Sequence, residues 1–145
     1  MEIIKIEKEN ISDIRNMWES LNSLHGELST HFGDHFNSFT FDERLAQFED
    51  RDFFAVFAAR TEEGLIGYCI ASVKNKIGEI GSIFTYPEHR NLGVGDSLME
   101  KAESWLKSKD ISKIMGSVAE GNESVFGFYN KRGFHHRFTV FERKA

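Results

Sequence analysis

A single proline and a single cysteine are all that this 145-residue chain holds of either. One cysteine excludes an internal disulfide framework, and an unpaired thiol fits a reducing cytoplasm. Cys69 stands inside the apolar run Leu65–Ala71 with no basic neighbour in sequence to activate it. It reads as a buried structural thiol rather than a nucleophile. No apolar stretch reaches membrane-spanning length and no signal pattern opens the chain, which predicts a soluble intracellular protein with no membrane partner. Positive charge is short as well: 18 Lys and Arg face 23 Asp and Glu, for a net charge of −5. That balance argues against a nucleic-acid partner, which calls for a basic excess or stripe. It mildly favours a cationic substrate, though solubility alone explains it. Repeats, low-complexity tracts and linkers are missing too, so residues 1–145 read as one domain with room for a real core.

What is abundant is phenylalanine, 14 residues, enough to build a core or cleft from aromatic rings. Residues 1–8 alternate as a strand, and Ser12-Asp13 precede Ile14, Met17, Trp18, Leu21 and Leu24 at the three-and-four spacing of an amphipathic helix. A polar stretch rich in His and Phe follows over 25–39. Thr40-Phe41-Asp42-Glu43 then has the form of a capping box opening a short helix through Phe48. Two nearly continuous apolar runs, 52–60 and 65–74, flank a turn at Thr61–Gly64 and predict strands covered on both faces. A third strand spans 77–86, with Gly78 and Gly81 marking a bulge or a close backbone approach. A helix from Gly95 to about Lys109, a strand at 113–119, a helix at 122–132 and a final strand over Phe134–Arg143 complete the chain. The order β-α-α-β-β-β-α-β-α-β predicts an α/β fold: a mixed sheet with helices on both faces.

Between the third strand of that group and its helix lies Arg90-Asn91-Leu92-Gly93-Val94-Gly95, which enters the helix with no Ser or Thr cap. A helix start carries four unpartnered N–H groups and the positive end of the dipole, and glycines let those groups converge on an anion. Arg90 adds a charge at the mouth, and a diphosphate would suit it. A tight turn with a solvated arginine explains the local pattern equally well. The P-loop is excluded because Asp96-Ser97 follow Gly95 where Lys-Ser/Thr is required. The dinucleotide fingerprint is excluded because Leu98 takes the place of its third glycine.

The segment Arg90–Gly95 has the Arg/Gln-x-x-Gly-x-Gly/Ala form of the GNAT superfamily of acyl-CoA-dependent N-acetyltransferases, which this chain resembles along nearly its whole length, least over 25–45. The lead-in Ser82–Arg90 is similar to that family's strand-Pro-Glu-aromatic-Arg. Asn122, followed by Tyr129-Asn130-Lys131-Arg132-Gly133-Phe134, resembles its second signature. The resemblance implies acetyl-CoA as cosubstrate, its diphosphate held by Arg90, Asn91 and the backbone N–H groups of Leu92, Gly93, Val94, Gly95 and Asp96. It implies pantetheine pairing along Ile83, Phe84 and Thr85 as an added strand, where the sheet splays to admit the thioester.

Acetyl transfer requires an amine stripped of its proton, a donor to the developing oxyanion, and a proton for the departing thiolate. The resemblance puts the acid at Tyr129, with packing as its alternative, and the oxyanion donor at a free N–H near Phe84. Asn122 bonds the pantetheine amide or caps its helix. The base falls to Glu79, directly or through water, with Glu120, His31 and His35 as rivals. His31, Phe32 and His35 read as part of the acceptor pocket. With no third ligand near the two histidines, no metal is expected. Lys131 and Arg132 either meet the adenosine phosphates or end a solvated helix. The expected activity is transfer to a primary amine of a small molecule. A protein N-terminus or lysine as acceptor, and a non-catalytic acyl-CoA sensor, are the alternatives. Relatives often pair through their C-terminal strands, and Phe138–Glu142 offers such a strand for a homodimer.

Overall fold

The two long apolar runs become interior strands of a five-stranded sheet in the computed structural model, which describes residues 1–145. The strands β1 (Glu2–Ile6), β2 (Phe53–Thr61), β3 (Gly64–Lys74), β4 (Ile77–Thr85) and β5 (Lys113–Gly116) lie side by side in chain order. The first four pair antiparallel, and β5 joins β4 in parallel. Two-residue turns close both central hairpins. The second, Asn75-Lys76, has positive φ at both residues (51° and 65°), the backbone that matches strand twist.

Both faces are covered, as the unbroken hydrophobicity requires. On one face α4 (Val94–Lys107) lays fully buried Leu98, Met99, Ala102 and Leu106 on Phe57, Cys69, Ala71, Val73 and Ile80. Each large side chain so buried contributes about 1.5–3 kcal/mol. On the other face Met17 and Trp18 of α1 (Arg15–Leu28), with Ile14, Phe41 and Phe48, pack on Val56, Tyr68, Ile70 and Phe84. Cys69 is buried as expected. Helix α1 starts at Arg15, two residues after Asp13, because a 3-10 turn, Lys8–Ile14, leads into it. The capping box at Thr40 is formed: its hydroxyl accepts from the Glu43 N–H, and the Glu43 carboxylate accepts from the Thr40 N–H. It opens α3 (Phe41–Ala46), which is fastened to α1 by Arg15–Asp42 at 3.1 Å.

The polar stretch 25–39, given no element in the expected order, carries the end of α1 and a short helix, α2 (Gly33–Ser38). Three expectations are corrected. Strand β5 stops at Gly116 rather than running to 119, and the last helix, α5, spans only Phe126–Lys131 behind a 3-10 turn. Residues 134–145 form no strand, although their alternation suits one. Nothing in the chain pairs with them, and Phe138, Val140 and Phe141 are exposed by 58%, 74% and 94%.

Candidate active site

The partnership of β4 with β5 is brief. It runs from Ile77–Lys113 to Ile80–Gly116 and then ends, while β4 continues to Thr85 against β3 alone. The split begins at a bulge. On β3, Ile70 pairs with Ser82 and Ala71 with Ile80, so Gly81 is the extra residue. Only glycine fits there, since a Cβ would lie 2.9 Å from the Phe48 ring.

Which groups face the gap follows from the ladder. The Tyr86 N–H bonds the Ile66 carbonyl at 3.0 Å, which makes that pair a hydrogen-bonded one. Bonded pairs alternate, so Phe84 and Ser82 also turn their N–H and C=O to β3. Phe84 therefore has no N–H for an oxyanion; Ile83 and Thr85 present theirs to the gap. The open edge is tied at both ends by guanidinium groups. Arg44 Nη2 donates to the Gly81 carbonyl at 2.7 Å, and Arg90 Nε to the Thr85 carbonyl at 2.9 Å. Arg90 also lies over the Phe84 ring, 5.6 Å from its centroid, rather than standing free in solvent.

Beyond Thr85 the chain passes through Pro87–His89 into the bare helix start. Gly93 occupies the N-cap position of α4 with φ 80° and ψ 8°, and no side chain caps the helix. Asn91 also has positive φ, 64°. No backbone bond outside the helices and strands starts from an N–H of residues 91–96. The space around Gly93 is open and Leu92 is 71% exposed, so the donors face solvent. A diphosphate would satisfy them; the geometry fits that guest. The Asp96 carboxylate is drawn aside by Arg132 at 3.5 Å, and Arg132 is anchored to Glu103 at 2.6 Å. Arg132 thus fastens α5 to α4.

Tyr129 lies on α5 against Gly116, the last residue of β5: a Cβ there would meet the ring at 3.1 Å and the hydroxyl at 3.6 Å. The phenol packs into the same cluster as Cys69 and Ile83, with Phe128 and Phe134 edge-on at 5.7 and 5.5 Å. Burial pushes its pKa up to about 12. Asn122 is not a helix cap, since its side chain makes no capping bond; its amide stays available. Glu79, paired with Met115 one residue before the split, approaches Arg51 at 3.9 Å.

Glu120, a rival for the base, is spent. Its carboxylate accepts from the Ser29 hydroxyl and from the N–H groups of Thr30 and His31, at 2.9–3.1 Å. Those backbone bonds hold its pKa below the usual carboxylate value. Gly121 closes the joint, with φ 96° and Leu28 O only 2.3 Å from where a Cβ would sit. The loop bearing His31 and Phe32, and with it α2 bearing His35, is thereby held to the segment leaving β5. His31 precedes α2, so the two histidines do not share a helix face, and His35 stacks on Phe39 at 5.3 Å. Arg44, Gly116 and the structural duty of Glu120 carry no motif. Only Gly81 was signalled, as a glycine within a strand.

The profile of the Acetyltransferase (GNAT) family matches residues 18–134. Among solved structures, a candidate acetyl transferase from Pyrococcus furiosus superposes with a TM-score of 0.80 at 21% identity, covering 99% of each chain. The aminoglycoside N-acetyltransferase AAC(6′)-Iy in complex with CoA gives 0.71 at 18% identity, again over 99% of each. An aminoglycoside acetyltransferase from an uncultured soil metagenomic sample, in complex with sisomicin, gives 0.72 at 13%, over 99% of this chain and 95% of that one. At these identities the likeness is one of fold. The fold and the family resemblance read from the two motifs are both borne out, and the chain belongs to the acetyltransferase (GNAT) family of acyl-CoA-dependent N-acetyltransferases.

Proposed function

We propose that the chain transfers the acetyl group of acetyl-CoA to a primary amine of a small molecule by direct attack, with no covalent enzyme intermediate. The observation that carries this reading is the uncapped start of α4, with its unpaired N–H groups, beside the free edge of β4. Leu92 to Asp96 hold the diphosphate, with Arg90 and Asn91 beside it. Ile83 to Thr85 receive the pantetheine arm, and Asn122 its amide. The thioester supplies an activated acyl carbon.

Amine nitrogen attacks that carbon, the C–N bond forms, and the C–S bond breaks. The Ile83 or Thr85 N–H steadies the oxyanion. Tyr129 gives its proton to the sulfur. Burial keeps the phenol protonated at neutral pH, and removal from water raises the basicity of a departing thiolate in the same way, which favours transfer of that proton to the sulfur. Glu79, the carboxylate next to the split, takes the ammonium proton directly or through water. His31, Phe32 and His35 line the acceptor side.

Two of the similar structures are aminoglycoside acetyltransferases, which supports small polyamines and amino sugars as the first acceptors to test. The exposed tail supports a homodimer, and the single buried thiol supports the cytoplasm as the compartment; no helix is long and apolar enough to cross a membrane. Calorimetric titration with CoA, followed by thiol release from acetyl-CoA with an amine panel, tests the activity. Binding with turnover on a small amine is the expected result. Binding without turnover on any amine, protein N-termini included, would favour a sensing module instead.

A further inference from the structure

We infer that Arg44 is a positioning residue for acyl transfer: by holding the Gly81 carbonyl it sets the angle at which the free edge of β4 meets the thioester. The inference rests on the acetyltransferase reading and adds to it a residue outside both sequence motifs. Gly81 is the unpaired residue of the bulge, and its carbonyl points to the open side because the next N–H, that of Ser82, turns to β3. Left alone, that carbonyl would be free to rotate or to find water. Instead Arg44 Nη2 takes it at 2.7 Å, while Nη1 donates to Gln47 Oε1 at 2.7 Å and the guanidinium lies 4.5 Å above the Phe48 ring.

Phe48 in turn presses on Gly81, where no Cβ fits. The Ser82 hydroxyl is bonded to the fully buried Tyr68 at 2.6 Å. The bulge is thus keyed from three sides. The pairing of Ser82 with Ile70 and its bond to Tyr68 hold the Ser82 dihedrals in the extended range, so the Gly81–Ser82 plane and the following plane, whose N–H faces the gap, are set together. Helix α3 is opened by its capping box and seated by the buried Phe41 against Trp18. With Arg90 holding the Thr85 carbonyl at the other end, the edge offers the Ile83 N–H and C=O and the Thr85 N–H, all in fixed directions.

Arg44→Met keeps much of the apolar contact with Phe48 and removes the donor. Three readouts are compared with wild type: CoA affinity by calorimetry, kcat and KM, and the carbonyl stretch of bound acetyl-CoA by isotope-edited infrared difference spectroscopy. The carbonyl band reports how well the edge N–H polarises the thioester, and a merely structural loss would not move it. The expected result is unchanged CoA affinity, a kcat lower by about tenfold or more, and a carbonyl band returned toward its position in free acetyl-CoA. Arg44→Lys, which keeps a donor but not the planar fork, recovers part of both. Arg44→Gln serves as the second donor-shortened variant should the methionine protein not fold, with the same band shift expected. An unmoved band with wild-type kcat, or a kcat that falls only together with CoA affinity, overturns the inference. Wild-type protein that binds no CoA would overturn the acetyltransferase reading itself, so the two failures are distinct.

Discussion

The phenol of Tyr129 and the carboxylate of Glu120 stand nine residues apart in sequence, and their surroundings assign them opposite work. Tyr129 is raised by burial and lacks a hydrogen-bond partner among the chain's own groups, so at neutral pH it keeps its proton and can give it away. Tyr129→Phe removes that donor. Its kcat should fall roughly 100-fold or more, within the range measured for general acids, while calorimetry finds CoA affinity retained; equal kcat in the two proteins would reassign the residue to packing. Glu120 is held in its charged form by backbone N–H groups. A depressed folded pKa stabilises the protein above the unfolded value, and that stabilisation is lost as pH falls through the folded one. Glu120→Gln should therefore lower Tm most at neutral pH, and the gap to wild type should close as the buffer is taken down through the carboxylate range. Both residues were legible as candidates, but only the bonds from Ser29, Thr30 and His31 show that Glu120 is occupied.

The start of α4 holds the element-scale claim. Its amphipathic spacing and its bare glycine loop are visible in residues 90–109, and the helix appears one residue earlier than the expected Gly95. At Gly93 the left-handed φ of 80° forbids a branched side chain, yet a Cβ would touch nothing within 4 Å. Gly93→Val thus costs backbone strain of roughly 1–3 kcal/mol and puts two methyls into the space where the diphosphate would lie. CoA titration should show affinity reduced at least tenfold, more than strain alone would remove from a protein that stays folded by circular dichroism. Gly95→Ala differs in kind, because its Cβ would press on Phe128 at 3.2 Å and disturb the contact between α4 and α5. The short elements were harder to read. Helix α2 has six residues and Gly33 at its start, below the length at which apolar periodicity can be told from chance.

Across the whole molecule, the final dozen residues are the part that does not close. Strand β5 is the outer strand of the sheet, and the tail leaves Phe138, Val140 and Phe141 in solvent. An unpaired edge beside exposed strand-forming chain is a template for pairing between copies. Wild-type protein should sediment as a dimer, and a chain ending at Arg137 should sediment as a monomer with its CoA site intact. A monomeric wild type at micromolar concentration would sink the dimer. Alternation in Phe134–Arg143 announces strand propensity, but propensity does not supply a neighbour. That is why the expected last strand is missing from the single chain.

The run of strands and helix from β2 through α4, the two-faced burial of the sheet, the capping box at Thr40 and the glycine-bearing helix start are settled by the sequence alone. Each rests on periodicity or backbone preference over a few adjacent residues. Tertiary structure decided the rest: which edge groups of β4 face the gap, that Arg44 reaches the Gly81 carbonyl 37 positions away, and that Glu120 is consumed by a loop 91 positions behind it. Those outcomes depend on register and on a one-residue bulge, which bring together atoms that no local pattern relates.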